Sequence, residues 1–167
     1  MISIIQQKYS RSKNYFSASH ILPGFSKCER LHGHNYVVKV TIDYQQSDSD
    51  FLLDFRDINS IIQSTIEKLD HKILLPGNSK TINVTSIMED INWLVRIKDK
   101  EYSFPKKDVF ILEKVNQTTS ENLAKFFHEQ ISEKLEEYIS QCSELQLKVS
   151  IAETAGNEAS YLNKIKK

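Results

Sequence analysis

Three histidines and one cysteine, close together in the chain, are the residues best suited to chemistry. His32 and His34 are separated by a glycine in Cys28-Glu29-Arg30-Leu31-His32-Gly33-His34, and the chain continues as Asn35-Tyr36-Val37-Val38-Lys39-Val40-Thr41-Ile42. On a strand, residues two apart face the same way, so the two imidazoles stand side by side. His20 closes the run Tyr15-Phe16-Ser17-Ala18-Ser19. The eleven residues between it and His32 include Pro23-Gly24, enough to turn back and pair the two runs antiparallel. Three neutral imidazoles facing one point leave a fourth tetrahedral position open, which is the arrangement of a catalytic zinc. Such an ion polarises a bound hydroxyl or carbonyl oxygen and eases deprotonation of the neighbouring carbon. Cys28, four residues before His32 and flanked by Lys27 and Arg30, suits a base that approaches the metal-bound molecule. The same thiol could instead complete a closed four-ligand site in a noncatalytic binding module.

Two further positions have both a chemical and a plain structural reading. Asp70-His71 follows a helix end, where the histidine complements the helix dipole; as chemistry, the carboxylate would orient an imidazole that carries a proton. Glu153 ends an alternating strand, where it either faces solvent or accepts two parallel N–H bonds from a heterocycle. His128 falls off the apolar stripe of its helix and reads as an ordinary exposed residue, and Cys142 reads as packing or surface.

Several elements must hold these groups. Residues 2–20 form one or two extended runs with a polar break at 10–14, and 34–44 alternate as the clearest strand. Residues 45–50 are a polar turn. Phe55, Ile58, Ile61, Ile62, Ile66 and Leu69 recur at helical spacing behind an Asp54 N-cap. Leu74-Leu75-Pro76-Gly77-Asn78-Ser79 reads as the end of regular structure. Residues 81–115 read as short β runs, with 93–97 and 101–104 as a hairpin. Thr118 to Glu121 has the form of a capping box, opening a second helix with Leu123, Phe126, Phe127, Ile131, Leu135, Tyr138 and Ile139 on one side. An alternating strand at 145–154 and a short last strand near 159–165 complete a β-β-α-α-β-β order. The class is α+β, with an antiparallel sheet and an extra β excursion between the helices.

At 167 residues the chain suits one domain, 1–167. Lys plus Arg and Asp plus Glu are 22 each, so no overall field favours nucleic acid or an anionic membrane. Two cysteines give no disulfide framework, and no run approaches a signal peptide or a membrane span. The expectation is a soluble cytoplasmic protein.

The motif Cys28-Glu29-Arg30-Leu31-His32-Gly33-His34-Asn35-Tyr36 does not stand alone. With it come Phe16-Ser17-Ala18-Ser19-His20, Asp54-Phe55, Leu69-Asp70-His71-Lys72, Thr119-Ser120-Glu121-Asn122-Leu123-Ala124 and Ala152-Glu153-Thr154. Together these resemble the 6-pyruvoyltetrahydropterin synthase and 6-carboxytetrahydropterin synthase family over nearly the whole chain. The resemblance implies a tunnelling fold, in which subunits join their sheets around a barrel as trimers stacked into hexamers, with active sites at subunit interfaces. It implies that His20, His32 and His34 bind Zn2+ and that Cys28 is the base. Asp70 and His71 would form a proton relay. Glu153 would hold the pterin edge, with Thr119, Ser120 and Glu121 lining the pocket. Three residues between cysteine and His-Gly-His, rather than five, resemble the 6-carboxytetrahydropterin enzymes of the 7-deazaguanine (queuosine and archaeosine) route. Those convert 7,8-dihydroneopterin triphosphate to 6-carboxytetrahydropterin, releasing acetaldehyde and triphosphate. The alternatives are 6-pyruvoyltetrahydropterin formation, a folate-type side-chain cleavage, or a pterin or purine binder. Residues 81–115 depart from the compact family pattern, which leaves them free to cover the pocket, extend the sheet or alter assembly.

Overall fold

The computed structural model describes residues 2–6, 14–46, 52–139 and 142–165. The polar stretches expected around residues 10–13 and 47–50 lie outside them. The strand β3 (His32–Gln46) is the spine of the sheet. Its alternation puts Tyr36, Val38, Val40, Ile42 and Tyr44 on a buried face, while Val37 on the opposite face is 42% exposed. One side of β3 pairs first with β2 (Tyr15–His20) and then with β1 (Ile2–Gln6), both antiparallel. The other side pairs with β9 (Cys142–Thr154), which pairs in turn with β10 (Asn157–Ile165).

Two helices cover the buried face. In α1 (Phe55–Leu69), Asp54 accepts the Arg56 N–H at 2.7 Å, and Ile58, Ile62, Ile66 and Leu69 point into the core. Phe55, expected on that stripe, is instead 59% exposed. In α2 (Ser120–Ile139), Leu123, Ala124, Phe127, Ile131 and Leu135 are buried. His128 is buried too, contrary to expectation: β10 covers that flank of the helix, and the ring packs edge-on against Tyr161 with centroids 4.9 Å apart. Cys142 is likewise buried.

The expected antiparallel sheet holds for β1, β2, β3, β9 and β10 and fails beyond β2. A strand not anticipated from the sequence, β4 (Lys72–Pro76), runs parallel to β2, and β8 (Val109–Leu112) runs parallel to β4. Residues 74–76 therefore do not end regular structure. Both faces of β4 are covered, so it is written as a continuous apolar run rather than as an alternation. Leu74 faces the helices. Leu75 faces a second, three-stranded antiparallel sheet of β5 (Asn83–Ile87), β6 (Asn92–Ile97) and β7 (Lys100–Pro105). The expected hairpin is β6–β7, and β5 adds to its other side. This small sheet has its own core, Val95 and Ile97 packing with Ile82, Leu75 and Ile21. At Gly77, just after β4, a Cβ would lie 2.6 Å from the Glu113 Cα, so only glycine lets the two backbones approach this closely.

Candidate metal centre and adjoining pocket

The antiparallel register of β2 and β3 assembles the histidines. His20 lies directly opposite His32, and Ala18 lies opposite His34, so all three rings leave the same face. One candidate ligand atom from each falls within 4.8 Å of the others. The His34 ring stands nearly perpendicular to its neighbours, at 85° to His20 and 83° to His32.

Two of the rings have their tautomer set by backbone carbonyls. His20 Nδ1 lies 2.9 Å from the Thr118 carbonyl, and His32 Nδ1 lies 2.7 Å from the Arg30 carbonyl. A carbonyl only accepts, so in each neutral ring Nδ1 carries the proton and Nε2 presents a lone pair. The two Nε2 atoms are 3.1 Å apart. Two lone pairs facing at that distance repel unless a cation sits against them, and this donor set therefore fits a metal ion. The Cys28 thiol is not among the mutually close donors, which form a three-histidine cluster among the described residues.

Thr118 explains where α2 begins. Its residue is buried and its carbonyl is engaged by His20, so the N-cap moves one residue on: the Leu123 N–H bonds the Thr119 carbonyl at 2.9 Å. The expected N-cap is thus shifted from Thr118 to Thr119, whose Oγ1 accepts the Asn122 N–H at 3.5 Å, and in place of the expected capping box the Asn122 side chain donates to the Gln117 carbonyl. Below the rings, the Tyr36 hydroxyl lies 3.3 Å from His20 Nδ1. Burial pushes the Tyr36 hydroxyl well up from its ordinary range, with Glu153 adding to the shift.

Burial also lowers His20 to about 4; the Thr118 carbonyl opposes this, His32 and His34 add to it, and Glu153 opposes it. The sign for stability follows. An unfolded His20 binds a proton below about 6.5, whereas the folded one resists protonation down to about 4. The metal-free protein should therefore keep this contribution above pH 6.5 and lose on the order of 2–3 kcal/mol between pH 6.5 and 4.5. Urea unfolding at pH 7, 5.5 and 4.5 measures the slope. An equal slope in a His20→Gln variant would assign it to other groups.

Glu153 is brought together with the start of α2. It lines a cavity of about 400 Å³ with Thr119, Ser120, Glu121 and Leu22, closed on the far side by the β9–β10 turn around Gly156. The Ser120 Oγ is enclosed without a hydrogen-bond partner among the described residues. Sequence reasoning gave these residues but not the enclosed hydroxyl, which depends on how α2 meets β9.

Cys28 lies in a single helical turn (Ser26–Glu29) between β2 and β3. Its carbonyl accepts the N–H of Leu22, which lines the cavity, at 2.8 Å, and its own N–H bonds the Phe25 carbonyl at 2.9 Å. Beside it, the Glu29 carboxylate is held below its usual range by Lys98 and the Gly24 N–H.

Asp70 and His71 form the expected pair at the end of α1, with Oδ2 and Nδ1 3.0 Å apart. Asp70 Oδ1 accepts the Ser17 N–H and the Ser17 carbonyl accepts the His71 N–H, which docks the end of α1 on β2. The His71 ring is 82% exposed and lines a shallow cavity with Ser17, Ser19, Asn35 and His34 of the metal site.

The sequence model of the family described as 6-pyruvoyl tetrahydropterin synthase matches residues 9–164. A Methanocaldococcus jannaschii relative, provisionally named 6-carboxy-5,6,7,8-tetrahydropterin synthase, is 34% identical over 87% of this chain and 88% of its own length. The 6-carboxy-5,6,7,8-tetrahydropterin synthase of Aquifex aeolicus is 29% identical over 81% of this chain and 76% of its own. The Plasmodium vivax 6-pyruvoyl tetrahydropterin synthase structure superposes with a TM-score of 0.85 at 22% identity, covering 98% of each chain.

Proposed function

From the premise that this chain belongs to the 6-pyruvoyl tetrahydropterin synthase family, we propose that it is a zinc-dependent lyase, a 6-carboxy-5,6,7,8-tetrahydropterin synthase. It would convert 7,8-dihydroneopterin triphosphate and one water to 6-carboxytetrahydropterin with release of acetaldehyde and triphosphate. The observation that carries the reading is the three-histidine cluster, with two of its rings fixed through Nδ1 on carbonyls and one candidate ligand atom from each ring brought close to the others, next to a cavity that Glu153 lines. His20, His32 and His34 would hold the zinc, which supplies Lewis-acid polarisation of a substrate oxygen when bound.

The chain's own groups divide the remaining work. The Glu153 carboxylate accepts two parallel N–H bonds from the amino-pyrimidinone edge, in a cavity whose wall Ser120 also lines. Thr119 and Glu121 shape that wall. The Cys28 thiolate takes the side-chain proton. In the Asp70–His71 pair, the carboxylate holds the Nδ1–H tautomer and leaves Nε2 to pass protons. Because that ring is exposed, it would serve the site of a neighbouring subunit, in a trimer or hexamer closed through the sheet edges at β10 and β8. No helix among the described residues is long and apolar enough to cross a membrane, and we take a cytoplasmic setting as part of the reading.

The test is mass spectrometry of the products when zinc-loaded protein meets 7,8-dihydroneopterin triphosphate without a reductase. Acetaldehyde with 6-carboxytetrahydropterin is expected. A 6-pyruvoyl product would assign the other reaction of the family, and no consumption despite bound zinc would overturn the enzyme. Glu153→Ala should weaken pterin binding about 10- to 100-fold, the loss expected for a charged partner of two N–H groups. Unchanged affinity in a fluorescence titration would remove Glu153 from the pocket.

A further inference from the structure

The small β5–β7 sheet has a use beyond covering β4. The turn between β6 and β7 reaches the Cys28 turn: Lys98 Nζ donates to Glu29 Oε1 at 2.8 Å, and Lys100 Nζ donates to the Glu29 carbonyl at 3.3 Å. The same Oε1 accepts the Gly24 N–H at 2.8 Å. One hairpin thus grips both the side chain and the backbone of the residue next to the thiol. We propose that the β6–β7 hairpin positions Cys28, with Lys98 and Lys100 as positioning residues that act through Glu29. This rests on the reading that Cys28 moves the substrate proton.

The argument is one of constraint. The segment from Ile21 to Leu31 is pinned at its ends by the paired strands that carry His20 and His32. Ile21 is further fixed in the core of the small sheet, and the Pro23 carbonyl accepts Gln117 Nε2 at 3.3 Å. Those contacts fix the beginning of the loop. In its far half the Cys28 backbone is bonded within the loop to Leu22 and Phe25, and the two lysines add the contacts from outside the loop, at the neighbouring Glu29. Stability does not explain the arrangement, since the Lys98 side chain is 61% exposed and exposed ion pairs add little to folding. The small sheet also keeps its apolar core without either ammonium group. Position is what the contacts supply, and a base displaced by 1 Å can lose about 100-fold in rate. Lys98 also neutralises a carboxylate that would otherwise stand uncompensated beside the thiolate.

The test uses the zinc-loaded, full-length protein with Lys98→Met, Lys98→Arg, Glu29→Ala and the Lys98→Met/Glu29→Ala double variant. Lys98→Met should lower kcat about tenfold, part of the range open to a misplaced base, with KM, zinc content and Tm unchanged. Lys98→Arg should restore most of the rate, and the double variant should be no slower than Glu29→Ala. Independently of turnover, the rate of Cys28 alkylation by iodoacetamide, followed by peptide mass spectrometry, should rise several-fold in Lys98→Met as the turn is released. Wild-type kcat and alkylation rate in Lys98→Met would overturn the proposal. So would a Glu29→Ala defect that Lys98→Met does not share, since the carboxylate would then act without the hairpin. Full turnover by Cys28→Ala would instead remove the thiol reading, while the alkylation rates would still decide whether the hairpin holds the turn.

Discussion

Cys28→Ala, loaded with zinc, should keep its metal and lose turnover by about 10²- to 10⁴-fold, the range a positioned acid or base contributes. The two halves of that expectation have separate grounds. Metal retention follows from the donor set, because the three histidine nitrogens meet without the thiol. Loss of turnover follows from the placement of Cys28 on a turn bonded to Leu22, itself part of the cavity wall that includes Glu153. Substitution should leave folding intact, since the turn's hydrogen bonds run through the Cys28 backbone and alanine keeps them. Metal content by atomic spectroscopy together with single-turnover rates measures both halves. Loss of zinc would make the thiol a ligand and favour a closed, noncatalytic site.

His32→Ala should lose both metal and turnover. One of three ligands accounts for about a third of a typical 10–16 kcal/mol metal-binding free energy, so zinc affinity should fall by at least roughly 10²- to 10³-fold. His32 is the informative choice because it stands at the rim, only partly buried, whereas His20 is 0% exposed and its replacement would disturb the core as well. The apo fold should therefore survive His32→Ala, with far-UV circular dichroism unchanged. Zinc titration against a competing chelator gives the affinity, and wild-type affinity in this variant would place the metal elsewhere.

The site was more legible in the sequence than the sheet that carries it. His-Gly-His on an alternating strand states its own geometry, since period two leaves both rings on one face and antiparallel pairing brings His20 opposite. The α1 helix was equally clear, because Asp54 and the three- and four-residue spacing of its isoleucines are local signals. What escaped depends on partners distant in the chain. Lys72-Ile73-Leu74-Leu75-Pro76 has no alternation because both faces are covered, and the following Pro-Gly looks like a stop. Thr118 looked like an N-cap until a histidine far earlier in the chain engaged its carbonyl. His128 looked exposed because β10, which covers it, comes later in the chain. The docking of Asp70 and His71 on the Ser17 backbone accompanies the parallel pairing of β4 with β2, which local pattern does not encode.

The bond between His20 and the Thr118 carbonyl joins residues 98 apart in the chain. This sets an order of events during folding. The β2–β3 hairpin places all three rings from nearby sequence, so a metal ion can meet its ligands early. The His20 tautomer that presents Nε2 is fixed only after the parallel strands have formed and α2 has docked, the slow, long-range part of the fold. An ion captured by the nascent hairpin would therefore be held weakly at first and tightly only once His20 meets the Thr118 carbonyl, so tight metal retention reports that the start of α2 has docked against the hairpin.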